Sequence, residues 1–343
     1  MFGAAAIVVS LVTVFSGLLV TDVYLHRKYE RSGGFNVWGY RGPVAKRKQP
    51  GEYRVVMLGG STAYGYGVEW NEAIPAVLEQ QLGQHRDEGP FTVVNLGYNN
   101  EGAYSFVATL KDYDALQYDL ACLYEGYNDM MANPERPNLS VFRRDSPVFR
   151  LTGYLPIFPI IFREKAAAML SGDTSAVYRS SHQTAFRPGL ATRAAAEVLA
   201  SAGEFTQSLD RQLTHVMSEP RQITDAESSG CKYPWANYCR SMASAIEYAL
   251  GRNRQVLLIT QPYALGFLRE RHVEQQHELV AMLERRFAGN RRVRYVNLGD
   301  VVDLADPVLS FDRMHLTAAG NRPIAAALVA PVMEMAALRK GER

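Results

Sequence analysis

Four short stretches of this chain carry side chains suited to nucleophilic and acid–base chemistry. In Gly59-Gly60-Ser61-Thr62, two glycines let the backbone turn sharply after the apolar run YRVVMLG, leaving the Ser61 hydroxyl at a strand tip. Alone, such a turn reads equally as an anion-binding nest, and it is not the G-x-S-x-G elbow of α/β-hydrolases. Asn95-Leu96-Gly97 and Glu125-Gly126-Tyr127-Asn128-Asp129 also close apolar runs. Gly97 could present an unhindered backbone N–H and Asn128 a side-chain N–H, the kind of donors that hold a developing oxyanion. Singly, each loop is also an ordinary turn, because Gly and Asn favour turns. Asp312-Arg313-Met314-His315 puts a carboxylate and an imidazole within one turn of chain. The carboxylate can orient the ring while its other nitrogen takes a serine proton. A bare D-x-x-H before a helix also reads as capping by Asp312 or Thr317.

These loops need a scaffold that brings strand ends together. Short apolar runs at 53–59, 90–97, 118–126, 255–262 and 292–300 alternate with helical patterns at 71–85, 103–117, about 270–288 and 317–338. That alternation predicts an α/β domain with a central parallel sheet covered on both faces. In such sheets ligands bind beyond the carboxyl ends of the strands, where the first three loops fall. Residues 130–250 break the rhythm and read as a mostly helical insertion within a 53–338 domain, a lid or wall for the site. Within it GYLPIFPIIF (153–162) is apolar without a strand or helix period. It could be buried against the domain or rest on a membrane surface.

The amino terminus supplies a reason to consider a membrane. Phe2 to Val20 carries no charge, and about 20 apolar residues span a bilayer core as a helix. With no basic n-region and no clear A-x-A site, a retained anchor over residues 1–25 is favoured over a cleaved signal peptide. Residues 26–52, polar and containing WGYRGP, read as a juxtamembrane linker. His26, Arg27, Lys28 and Arg31 flank the span, and the positive-inside rule would put the domain in the cytoplasm. Cys231 and Cys239, eight apart in a loop-like stretch, point the other way if they pair, because disulfides belong to oxidising compartments.

Composition narrows the chemistry. With 37 basic and 35 acidic residues scattered along the chain, nothing recommends nucleic acid as a partner. The two loop cysteines lack the further ligands of a zinc site, and no metal or cofactor is expected.

Taken together, GGS, N-x-G, G-x-N-D and D-x-x-H occur in an order that resembles the SGNH, or GDSL-like, hydrolase superfamily. The resemblance covers about 36–129 and 253–330. It implies a flavodoxin-like three-layer α/β/α fold without a cofactor. It also implies Ser61 as nucleophile, His315 as general base and Asp312 as its support. The implied oxyanion hole comprises the Ser61 and Gly97 backbone N–H groups and the Asn128 side chain. One block departs: the family's Gly-Asp-Ser-Leu is Gly59-Gly60-Ser61-Thr62 here, without the acidic neighbour. WGYRGP and GYLPIFPIIFREKA also look like membrane-linked bacterial relatives.

The expected activity is hydrolysis of acyl esters, acetyl in particular, on an acylated small molecule or cell-surface carbohydrate, in an anchored domain outside the cytoplasm. Tyr64, Tyr66 and Tyr98 flank the site and could stack on a sugar or simply pack. The alternatives are acetyl transfer by the same triad, and a non-catalytic accessory subunit with a membrane-protein partner.

Overall fold

The structure, a computed structural model, describes residues 2–30, 34–85, 89–132, 141–162 and 230–341. In chain order the main elements are α1 (Phe2–Tyr29), β1 (Tyr53–Gly59), α2 (Ser61–Tyr64), α3 (Ile74–Leu82), β2 (Phe91–Asn95), α4 (Phe106–Asp112) and β3 (Leu120–Tyr124). They continue with α5 (Tyr127–Met131), α6 (Pro147–Thr152), α7 (Ala236–Gly251), β4 (Gln255–Ile259), α8 (Leu268–Arg286), β5 (Val293–Val296) and α9 (Ala318–Gly341). The chain divides into two compact units. Among described residues, one holds α1, Gly34–Gly39 and 143–162, and the other holds Tyr40–Phe142 and 230–341.

The larger unit is built on a five-stranded parallel sheet of order β2-β1-β3-β4-β5, the flavodoxin-like order. Its three inner strands are buried along their whole length. They are therefore apolar without alternation, whereas the edge strands β2 and β5 are partly exposed. The path runs from β1 to β2, then back across β1 to β3 and outward. Right-handed crossovers place α3 on one face and α4, α7 and α8 on the other. α9 returns to pack on α3, while α7 packs on α4 and β4. The predicted α/β/α layering is present.

Three expected boundaries move. α7 is a crossover helix of the sheet, so residues 236–251 belong to the α/β framework and not to the insertion expected over 130–250. The Ala-rich residues 163–229 lie outside the described residues. Residues 40–52 are not a loose linker, since Tyr40 and Arg41 are buried and Arg41 exchanges a bridge with Asn95. The predicted helix over 103–117 is divided among a 3-10 turn, α4 and a second 3-10 turn.

In the smaller unit, α1 runs four residues past the expected anchor end. Among the described residues it is the one helix long and apolar enough to cross a membrane. Its apolar side chains from Ile7 to Val20 are exposed, but Asp22, Leu25 and His26 are buried. Asp22 accepts hydrogen bonds from the Tyr154 hydroxyl and the Phe158 N–H, both at 2.5 Å. The His26 ring nitrogens face the carbonyls of Phe35 at 2.7 Å and Leu155 at 2.9 Å. GYLPIFPIIF thus packs on the carboxyl-terminal end of the apolar helix. Its missing periodicity reflects anchoring through the Tyr154 hydroxyl and the backbone of Leu155 and Phe158 rather than by one repeating face.

Candidate active site

Ser61 is the first residue of α2, immediately beyond the β1 tip. The backbone reverses there because Gly59 and Gly60 have no side chains. A Cβ at Gly59 would stand 2.1 Å from the Tyr124 carbonyl oxygen, and one at Gly60 2.2 Å from Asn128 Nδ2. Arg41 supports the far side of the turn, its guanidinium donating to the carbonyls of Tyr64, Gly65 and Val68. Nothing in the local pattern around WGYRGP marked Arg41 for that task; its burial is a tertiary outcome.

His315 arrives from the other end of the chain, in the loop before α9. Its Nε2 is 2.8 Å from Ser61 Oγ, and its Nδ1 is 2.6 Å from Asp312 Oδ2. Asp312 Oδ1 also accepts the backbone N–H groups of His315 at 2.7 Å and Met314 at 3.0 Å. The loop closes this tightly because Arg313 sits in the left-handed region at φ 67°, where few side chains are comfortable. Partial burial would raise Asp312, but hydrogen bonds from the His315 ring and backbone outweigh it and hold the carboxyl below its ordinary range. Capping of α9 falls to Thr317, whose hydroxyl accepts the Gly320 N–H at 3.2 Å. Asp312 is therefore committed to the histidine. The result is a continuous Ser–His–Asp hydrogen-bonded line.

The proposed oxyanion donors fare unequally. Asn128 lies in the first turn of α5 beside Gly60, and its Nδ2 donates to the Glu101 carbonyl at 2.8 Å. An amide has a second hydrogen, which can serve a substrate oxygen. Gly97 is different. Its N–H donates to Asn95 Oδ1 at 3.0 Å, and a Cβ there would stand 2.7 Å from the Tyr64 nitrogen. Gly97 is thus a spacer under the α2 turn with its N–H already engaged, and the structure does not offer it as a waiting oxyanion donor. The N-x-G pattern signalled the glycine because the Asn side chain bonds two residues ahead, and that bond is what occupies the N–H.

Two buried carboxylates of the Glu125–Asp129 stretch, to which the sequence assigned no role, hold these loops. Glu125 accepts N–H groups from Gly60, Gly126 and Asn128, and Asp129 accepts that of Ala103. Burial pushes both carboxyls upward, with the neighbouring Asp129 charge adding to the rise at Glu125. Gln261, just beyond β4, accepts the Tyr127 N–H at 2.8 Å and donates to the Thr62 hydroxyl. The signal of Glu125 and Gln261 in the sequence was only a polar residue close behind an apolar run.

Of the three flanking tyrosines, Tyr64 is buried and packs edge-on against Tyr98. Tyr98 itself stacks on Phe142 with ring centroids 4.1 Å apart. Tyr66 lies beside His315, centroid to centroid 4.9 Å, and Phe311 stacks on the same imidazole at 5.8 Å. Among the described residues no group of His, Cys, Asp and Glu could hold a metal ion.

No family model and no curated protein matches the chain by sequence. Solved structures of similar fold include a lipolytic protein of the G-D-S-L family from Desulfitobacterium hafniense. That match has 13% identity and a TM-score of 0.42, covering 80% of this chain and 98% of that one. Axe2, an acetyl xylan esterase from Geobacillus stearothermophilus, matches at 13% identity and a TM-score of 0.42, covering 82% and 94%. The acetyl xylan esterase AlAXEase matches at 14% identity and 0.39, covering 81% and 99%. Likeness this distant carries no inference about activity, which rests on the residues around Ser61.

Proposed function

We propose that the chain is a membrane-anchored serine esterase of SGNH type, acting on short acyl esters and in particular acetyl esters of carbohydrate. The observation that carries this reading is the Ser61–His315–Asp312 line, with a serine hydroxyl 2.8 Å from an imidazole that a carboxylate orients. His315 Nε2 takes the Ser61 proton as Oγ attacks the ester carbonyl, and Asp312 stabilises the imidazolium that forms. The Ser61 N–H and the Asn128 amide then receive the oxyanion in this reading. The imidazolium then protonates the leaving alcohol. Water, deprotonated by the same ring, attacks the acyl-enzyme and releases the acid.

A sugar as the alcohol part of the ester is favoured by Tyr66 and Phe311, aromatic surfaces beside His315. The anchor is α1, and the Cys231–Cys239 disulfide supports a location outside the cytoplasm. The test is hydrolysis of p-nitrophenyl acetate by pure protein. Loss of turnover in Ser61→Ala is expected. Equal turnover in the variant would refute the mechanism, and release of acetyl onto a carbohydrate acceptor would mark a transferase instead.

A further inference from the structure

We propose that Glu125 is a positioning residue that sets the distance between the nucleophile and the oxyanion donor; the role rests on the esterase reading above. The β1–β3 ladder ends at the pair Gly59 and Tyr124, before Ser61 on one side and Asn128 on the other. Beyond that pair no strand hydrogen bond ties the Ser61 turn to the Asn128 turn.

The Glu125 carboxylate takes over where the ladder stops. Its Oε2 accepts the Gly60 N–H at 2.6 Å, in the residue just before Ser61. Its Oε1 accepts the Gly126 N–H at 2.9 Å and the Asn128 N–H at 3.0 Å. One side chain thus brackets both turns through two oxygens that a planar carboxylate holds at a fixed separation. The space it uses is the space a side chain at position 60 would need: a Cβ there would stand 2.8 Å from Oε2. With Glu125 and Asn128 where they stand, position 60 admits only glycine.

Energetics point the same way. Glu125 is 1% exposed, and among the described residues it has no cationic partner. A carboxyl buried in this way carries a desolvation penalty that an apolar residue of similar size would not. What it supplies in return is directional: three N–H groups aimed at two fixed points. Tyr238 adds a further tie by donating its hydroxyl to the Glu125 carbonyl at 3.2 Å.

Glu125→Gln in the full chain is the test, because glutamine keeps the size but offers one acceptor oxygen and turns an NH2 toward an N–H. With p-nitrophenyl acetate, and sites counted by a fluorophosphonate label, kcat per site is expected to fall about tenfold or more while KM moves less than about threefold. Amide exchange in peptides covering 57–66 and 124–131 is expected to quicken. A purely structural role would lower the melting temperature or the number of labelled sites and leave kcat per site alone. Should Glu125→Gln not fold, Glu125→Asp, one methylene too short to reach Gly60, is expected to show the same kcat loss. A folded variant with kcat per site within about twofold of the parent and unchanged exchange overturns the proposal. Absence of Ser61-dependent turnover in the parent would instead sink the esterase reading, and the exchange measurement would still decide whether Glu125 braces the two turns.

Discussion

His315 Nε2 lies 2.8 Å from Ser61 Oγ across a separation of 254 positions in the chain. Such a contact needs β1 and the α9 entry loop to arrive at one end of the sheet. The second half of the line is local: Asp312 and His315 are three apart, and the carboxylate binds both the ring and the backbone of its partner. Replacing Asp312 by asparagine keeps the shape but removes the charge that stabilises an imidazolium. The expected outcome is a fall in kcat of roughly 100-fold to 10,000-fold with KM little changed. Steady-state kinetics on p-nitrophenyl acetate read it directly, and a kcat within a few-fold of the parent would remove Asp312 from the mechanism.

Arg313 makes the tight turn between those two residues with φ at 67°. Glycine is at ease there, whereas a β-branched residue is strained. Arg313→Gly is expected to keep both fold and activity. Arg313→Val should lower stability by about 1–3 kcal/mol and reduce kcat, because the D-x-x-H loop opens. Chemical denaturation of both variants, paired with turnover, checks the ordering.

Beneath the site, His272 is fully buried between Tyr127 and Tyr263. Its Nδ1 accepts the Ala264 N–H at 3.2 Å. Burial, helped by the Arg269 charge, lowers its pKa to about 4. Between an unfolded value near 6.5 and that folded value, the unfolded state binds a proton that the folded state refuses. Stability should therefore fall as pH drops from about 6.5 towards 4, by about 3 kcal/mol from this residue. His272→Gln should flatten that part of the stability profile, and equal slopes in the two proteins would contradict the assignment.

The Cys231–Cys239 bridge closes a short loop at the start of α7, and Cys122 is a buried free thiol. Denatured without reductant, protein isolated from its host should expose one thiol, and three after reduction. Three thiols before reduction would favour the cytoplasmic orientation that the basic flank of α1 suggests. Cys231→Ser is expected to lose about 2 kcal/mol, on chain-entropy grounds for a loop this small.

The parts of this architecture that the sequence made legible are those governed by local pattern. Runs such as VVMLG and LACLY are apolar without alternation because both faces of an inner parallel strand are covered, so the sheet could be read from them. Ser61, Asn128, Asp312 and His315 stood out because each sits directly beside such a run or a helix start. Gly97 shows the limit: its type and place suit an oxyanion donor, yet the Asn95 side chain two residues earlier takes its N–H. Arg41 and Gln261 were missed, and Glu125 was given no role, for the opposite reason. Their partners lie 23 to 199 positions away, and a lone polar residue after a strand has no periodicity to reveal it. The packing of GYLPIFPIIF on α1 was likewise hidden, because Asp22 and Tyr154 are 132 positions apart.

Covalent labelling tests the central claim most directly. Incubation of the parent protein with a fluorophosphonate, followed by digestion and mass analysis, should place one phosphonyl group on Ser61, with labelling lost in Ser61→Ala and greatly slowed in His315→Ala. An unlabelled parent, or label on another serine with Ser61→Ala reacting at the parental rate, would contradict the account.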